Sequence, residues 1–273
     1  MNSKLKPFAW VLASIKSELK PLIESKQGEV YPFHGQQLWK LECSKGRIIL
    51  LATTGIGKAN ASFTVGALAE KSDYPEIIIN VGIAGCYDST PVSIGDVVIV
   101  TECIMGDEGV WHEKDYMSSY DAIGISPLES IDDALYGRIA LKFEKVVKLL
   151  PSGIHYQERV LQDKTERLDL REEPARAFRV WYGSSCSVGL ASGSPEVALF
   201  RQKTYGAWIE EMEVSAIALA ALRMGIPIVA IRGVSNRVGE RDKSLWQMDR
   251  AISNACSCVI KILQSGLTDD GLE

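Results

Sequence analysis

Five nearly unbroken apolar runs, at residues 8–13, 47–53, 76–81, 92–101 and 226–232, constrain this chain most. Strand-length runs of Ile, Val, Leu and Ala without polar alternation suit strands that are covered on both faces. Between them lie segments of helical composition, such as 58–71 and the small-residue stretch after Glu213. Strands alternating with helices imply a mostly parallel sheet. The expected fold is α/β: a single-domain, three-layer α/β/α arrangement around a central mixed, mostly parallel twisted sheet.

Residues 14–19 read as a loop turning into a helix, and Gly82-Ile83-Ala84-Gly85 as a turn that ends the 76–81 strand. The 92–101 strand carries a break at Gly95-Asp96. Ile131, Leu135, Ile139, Phe143, Val146 and Leu150 lie near helical spacing, so an amphipathic helix is expected over 129–150. Residues 157–179 are then dense in Glu, Arg, Asp and Lys, and sheet-like sequence resumes at Ser185. The chain therefore reads as one domain, 1–273, with a charged insertion at about 157–182 and a closing helix over about 244–264. A solvated, helix-rich excursion is the plain reading of the insertion, and a lid or subunit-contact arm the sharper one.

Composition narrows the partners. A net charge of −5 with no basic run argues against nucleic acid and anionic membranes. No stretch reaches the roughly eighteen apolar residues of a membrane span. Residues 1–7 have lysines but no long apolar segment or cleavage site, so no signal peptide is expected and the location reads as cytoplasmic. The six cysteines (Cys43, Cys86, Cys103, Cys186, Cys256, Cys258) contain no C-x-x-C and have core-like neighbours. Reduced thiols acting as small hydrophobes fit better than disulfides or zinc. His34, His112 and His155 have no metal-spaced partner, so neither a metal nor a cofactor is expected, and a Ser-His-Asp hydrolase is disfavoured.

Chemistry concentrates near the end. The run 226–232 finishes in Arg232, followed by Gly233-Val234-Ser235-Asn236. This delivers a charge and an amide to the carboxyl edge of a sheet, where open α/β sheets bind ligands. Upstream, Glu211-Met212-Glu213 opens a helix. Glu213 is a first-turn glutamate that the helix dipole alone could favour, and Arg232 could equally serve as a structural partner for one of these acids. Gly55-Ile56-Gly57-Lys58 fails as a Walker loop because Ala52 and Ala59 stand where Gly and Ser/Thr are required. Gly82-Ile83-Ala84-Gly85 is no dinucleotide fingerprint either. Both remain glycine segments where a ligand can approach backbone N–H groups.

In order along the chain, Ser14-Ile15-Lys16-Ser17-Glu18, Thr53-Thr54-Gly55-Ile56-Gly57-Lys58, Asn80-Val81-Gly82-Ile83-Ala84-Gly85, Gly95-Asp96-Val97-Val98, Glu211-Met212-Glu213 and Arg232-Gly233-Val234-Ser235-Asn236 resemble the nucleoside phosphorylase/nucleosidase superfamily. The likeness covers about 8–104 and 183–264 and is strongest to the hydrolytic branch. There the stretch from Ser235 to Trp246 is similar to that of the futalosine-hydrolysing members. The resemblance implies a small-molecule nucleoside substrate and a homodimer or higher homo-oligomer. It implies that Glu18 activates water, that Arg232 stands near that water, and that Glu213 accepts hydrogen bonds from ribose hydroxyls. Met212 would lie against the sugar and base, and Glu211, Ile83, Ala84, Gly85, Ser192 and Gly193 would line the pocket. Trp246 would stack on the base or the 5′ substituent, or sit in the core.

Asn236 departs from the adenine-specific relatives, which carry Asp there. An amide can donate to a 6-oxo group while its oxygen accepts a proton forming on N7; a carboxylate facing that oxygen would set lone pairs against each other. A 6-oxopurine nucleoside is therefore expected. Phosphorolysis is the rival reaction, but residues 13–17 lack the arginine and proline of the phosphorylase loop. A non-catalytic nucleoside-binding protein is the rival from another class, and Glu18 speaks against it.

Overall fold

The computed structural model describes residues 5–25, 28–42, 46–112, 116–118, 137–141, 166–168 and 178–265. Its elements are β1 (Ala9–Ala13), α1 (Lys16–Glu24), β2 (Glu29–Phe33), β3 (Gln36–Glu42), β4 (Ile48–Thr53), α2 (Lys58–Lys71), β5 (Ile77–Cys86), β6 (Val97–Met105), β7 (Val110–His112), β8 (Tyr116–Ser118), β9 (Arg138–Ala140), β10 (Glu166–Leu168), β11 (Phe178–Ser187), α3 (Pro195–Tyr205), β12 (Ile209–Glu211), α4 (Val214–Met224), β13 (Ile228–Arg237) and α5 (Met248–Ser265).

One large sheet runs in the order β10-β11-β6-β13-β5-β1-β4-β3-β2, with β12 joining β11 to β5 and β9 added to β6. The pairs β4–β1, β1–β5, β5–β13 and β6–β11 are parallel, whereas β13–β6 and the β2–β3–β4 margin are antiparallel. Helices α1 and α5 pack together over the sheet, as do α2 and α4, giving the three layers expected. The central strands have no exposed face: every residue of β1 is buried, and Ile78, Ile79, Val98 and Ile99 are at 0 % exposure. Burying apolar side chains at about 25 cal/mol per Å² is what holds such a sheet together. None of the described helices is long and apolar enough to cross a membrane.

Several expectations need correction. Gly82-Ile83-Ala84-Gly85 is not a turn: β5 continues through it to Cys86, pairing with β13 from Arg232 opposite Gly82 onward. The strand expected from residue 92 begins at Val97, because Gly95 has φ +92° and Asp96 accepts from the Ser93 N–H in a turn. The helix expected over 129–150 falls mostly outside the described residues. Where it is described, Arg138–Ala140 is a strand whose Ile139 is buried against Cys103 of β6, so sheet pairing overrides the helical spacing. The charged insertion also lies largely outside the described residues, but its last five positions, 178–182, are already in β11. There Arg179 reaches back to Asp96, so a charge that reads as loop is one side of a strand. The closing helix starts at Met248, later than expected, after a single 3₁₀ turn at Lys243–Leu245.

Candidate active site

The carboxyl ends of β1, β5 and β13 and the start of α4 converge on one pocket. Glu18 enters from the first turn of α1. Its Oε2 accepts the N–H groups of Ser14 (2.9 Å) and Ile15 (3.2 Å), as an acid at the third helical position does when it closes back on the N-terminus. Its Oε1 accepts the Ile83 N–H of β5 at 3.0 Å. That reach requires glycine at 82: a Cβ there would stand 2.9 Å from Glu18 Oε1 and 3.6 Å from the Arg232 guanidinium carbon. Burial raises the Glu18 carboxyl above the usual range, while the Arg232 charge and the three backbone N–H groups pull against it. A buried carboxylate held this way is aimed and still basic enough to take a proton.

Arg232 is 1 % exposed. Its guanidinium donates to the Asn80 carbonyl (3.1 Å) and the Asn80 side-chain oxygen (2.5 Å), and it lies 3.6 Å from Glu211 Oε2. Arg232 therefore pairs with Glu211 and acts on Glu18 and Glu213 through its charge alone. Its Nε–H has no partner among the described residues.

Glu211 is a hub. Its Oε2 accepts the N–H groups of Glu213 and Val214 (both 2.7 Å), capping α4, and its Oε1 accepts the Ser187 hydroxyl. It lines the pocket, but its acceptors are spent within the protein. Glu213 is different. At the N-cap of α4, its carboxylate takes one internal hydrogen bond, from Gly57 N–H at 2.9 Å. Gly57 has φ +94°, a conformation that suits glycine, so the glycine loop's work here is to present that amide. Burial, then the neighbouring Glu211 charge, pushes the Glu213 carboxyl up to about 7, with Arg232 opposing. Its remaining lone pairs are available for a pair of hydroxyl donors.

At Ser235 the β13–β5 register carries an extra residue, a bulge of the kind found beside active sites. It lies where the Ser235 hydroxyl donates to Asn236 Oδ1 at 2.7 Å. Asn236 Nδ2 donates to the Arg237 carbonyl at 2.7 Å. An amide has two N–H donors and two acceptor lone pairs, so one of each remains for a ligand edge.

The pocket has a volume of about 260 Å³, room for a small molecule. Of the residues expected in it, Glu18, Ile83, Ala84, Gly85, Ser192, Glu211, Met212, Glu213, Asn236 and Trp246 line it. Gly193 does not, and Arg232 stands behind the wall. Other lining residues had no signal strong enough to single them out, among them Ile56, Val188, Ala191, Glu210, Arg241 and Met248. Glu210 is buried, accepts from Ser192 N–H (2.8 Å), Ser192 Oγ (2.7 Å) and Tyr87 Oη (2.9 Å), and pairs with Arg201 at 3.3 Å. It thereby fixes the Ser192 wall. Three acids in the four positions 210–213 were the hint.

The three-layer α/β fold thus brings to one pocket a carboxylate held by three backbone N–H groups, a second buried carboxyl with lone pairs to spare and an amide with a donor and an acceptor left over. The model of the Phosphorylase superfamily matches residues 8–264, and the chain belongs to that family. It is 28 % identical over 256 residues to a futalosine hydrolase of Thermus thermophilus, covering 93 % of this chain and 95 % of the relative. It is 26 % identical to a 5′-methylthioadenosine/S-adenosylhomocysteine nucleosidase of Bacillus thuringiensis, covering 93 % and 97 %. Among solved structures, the methylthioadenosine/S-adenosylhomocysteine nucleosidase of Colwellia psychrerythraea in complex with adenine superposes with a TM-score of 0.73 at 19 % identity, over 96 % of this chain and 97 % of that one. The native futalosine hydrolase of Helicobacter pylori gives 0.70 at 18 %, over 94 % and 97 %.

Proposed function

We propose that this chain is an N-glycosyl hydrolase that cleaves the N-ribosidic bond of a 6-oxopurine nucleoside. Futalosine is the favoured substrate, releasing hypoxanthine and dehypoxanthine futalosine in menaquinone biosynthesis. The observation that carries this reading is Asn236, a buried amide with one donor and one acceptor left over. A hypoxanthine edge takes both, its O6 accepting from Nδ2 and its N7, as it gains a proton, donating to Oδ1. Adenine would bring an amine donor to the same donor. The similarity to a futalosine hydrolase over nearly the whole of both chains supports the same choice.

The residues divide the work. Glu18 takes the proton of a water attacking C1′. Glu213 accepts the 2′ and 3′ hydroxyls, and its charge steadies the positive sugar that develops as the bond breaks. Asn236 steadies the departing purine by hydrogen bonds, donating to O6 and accepting from N7–H once a solvent water has protonated N7. Hydrolysis is favoured over phosphorolysis because the described lining carries Glu18, Glu210, Glu211 and Glu213, while the two buried guanidiniums beside it, Arg201 and Arg232, are paired with Glu210 and Glu211. A phosphate dianion would enter against that negative charge, and among the described residues the only arginine at the floor, Arg232, is already paired with Glu211.

A homodimer belongs to the proposal. Ile56, Leu190 and Leu245 lie on or next to pocket-lining positions and are 57 %, 76 % and 57 % exposed, an apolar surface suited to a second copy. The five described cysteines are free and buried, which suits a reducing, cytoplasmic setting. We read the chain as one working unit, with the charged segment as its insertion. The test is hypoxanthine release from futalosine by purified protein with and without inorganic phosphate. Equal rates are expected, and release that requires phosphate would make the enzyme a phosphorylase.

A further inference from the structure

The pocket is graded from floor to rim. Glu18, Glu213 and Asn236 on the floor are 5 %, 6 % and 7 % exposed. Trp246 is half-buried and Arg241 exposed, both on the segment that climbs out of β13 toward α5. The charge is graded too. Among the described residues, the ionisable lining groups are the acids Glu18, Glu210, Glu211 and Glu213, and one cation, Arg241.

Arg241 has no acid partner among the described residues, although acids flank it in sequence. Glu240 turns its Oε1 onto the Asp242 N–H at 2.7 Å, and Asp242 accepts from the Ser244 N–H at 2.9 Å and its hydroxyl at 2.7 Å. Both carboxylates are thus occupied by their own loop. The Arg241 guanidinium lies 5.6 Å from the centre of the Trp246 ring, a cation–π arrangement that orients the fork and leaves its N–H edge free.

With the base at Asn236 and the ribose diol at Glu213, the floor is filled. The substituent on the ribose 5′ carbon must then leave through the rim, past Trp246 and Arg241. We infer that Arg241 and Trp246 form a specificity subsite for a 5′ substituent that carries a carboxylate on a planar ring. The guanidinium grips the carboxylate by its fork, and the indole and Met248 pack on the ring. This rests on the nucleosidase reading of the pocket and adds what that reading lacks, a group that selects the far end of the substrate.

Futalosine and its methyl ester share base, ribose and ring and differ only in the charge, so they isolate the subsite. Wild type should prefer the acid, and the preference should shrink with added salt, since an exposed guanidinium is screened. Arg241→Gln should raise KM for the acid by about 10- to 100-fold, the worth of a hydrogen bond to a charged group, with a change several times smaller for the ester and kcat little altered. Arg241→Lys should restore part of the preference, and Trp246→Leu should weaken acid and ester alike. An Arg241→Gln variant that loses acid and ester equally, or that keeps the wild-type ratio, overturns the inference. If neither inosine-type compound is cleaved, the base assignment has failed, not the subsite. The 5′-(3-carboxyphenylthio) and 5′-phenylthio derivatives of adenosine then put the same question, and equal KM values for that pair would overturn it.

Discussion

Replacing Glu213 by Gln keeps the shape of the proposed ribose clamp and an acceptor for the Gly57 N–H but removes a titrating group. In the folded chain that carboxyl is pushed from 4.5 to about 7, by burial first and the Glu211 charge second. Below about pH 4.5 it is protonated in both folded and unfolded chains and costs nothing. Between 4.5 and 7 the unfolded chain ionises while the folded one holds its proton, so stability falls as pH rises. Above about 7 the full cost is present. At about 1.4 kcal/mol per pH unit, the displacement amounts to about 3 kcal/mol. The Gln variant escapes it. Thermal unfolding without substrate should therefore give equal melting temperatures near pH 5, with Gln the more stable near pH 8 by roughly 6–12 °C. Activity should move the opposite way, because only the ionised acid accepts both hydroxyls. Wild-type kcat/KM should rise with pH through about 7, and the Gln variant should be poor throughout. A melting difference that is the same at pH 5 and pH 8 would refute the reasoning, since it would mean that Glu213 titrates no differently in the folded chain.

Glu18→Gln should lower kcat by about 10²- to 10⁴-fold with little change in KM, measured by base release under saturating substrate, as expected for loss of a positioned general base; near-wild-type turnover would revive the binding-protein reading. Gly82→Ala drives a methyl into a carboxylate that three backbone N–H groups hold in place, so kcat should fall on the order of 10²-fold while the fold persists. A Gly82→Ala enzyme of normal kcat would show that Glu18 is not held where the reaction needs it.

Where local sequence and tertiary context agree, the chain announces itself. The run ending at Thr53, the helix Lys58–Lys71 and the acids Glu18 and Glu213 are where the pattern puts them, because strands buried on both faces and helix starts leave strong local marks. The hairpin β2–β3 was not legible: Val30 and Tyr31 are exposed and Pro32 stands inside the strand, where proline is a poor strand signal, although His34-Gly35, both at positive φ, make the turn. The strand at Ile139 was hidden by apolar spacing that imitates a helix, and the start of β11 by Arg179, whose partner Asp96 lies 83 positions away. In the site, Glu210 and Arg241 escaped for the same reason. Glu210 gains meaning from Arg201, Tyr87 and Ser192, which only the fold brings together, and Arg241 from being a cation on a wall that is otherwise acidic among the described residues. Gly193, which the resemblance puts in the pocket beside Ser192, is not among the residues that line it.

The choice of base rests on Asn236, and one comparison tests it most directly: kcat/KM for futalosine against methylthioadenosine, both without phosphate, on the same purified protein. A site that hydrogen-bonds the hypoxanthine edge leaves groups unpaired against adenine, and such mismatches reach ~10⁴-fold. Futalosine should win by at least about a hundredfold, and Asn236→Asp should erode that margin. Methylthioadenosine cleaved as readily as futalosine would contradict the account.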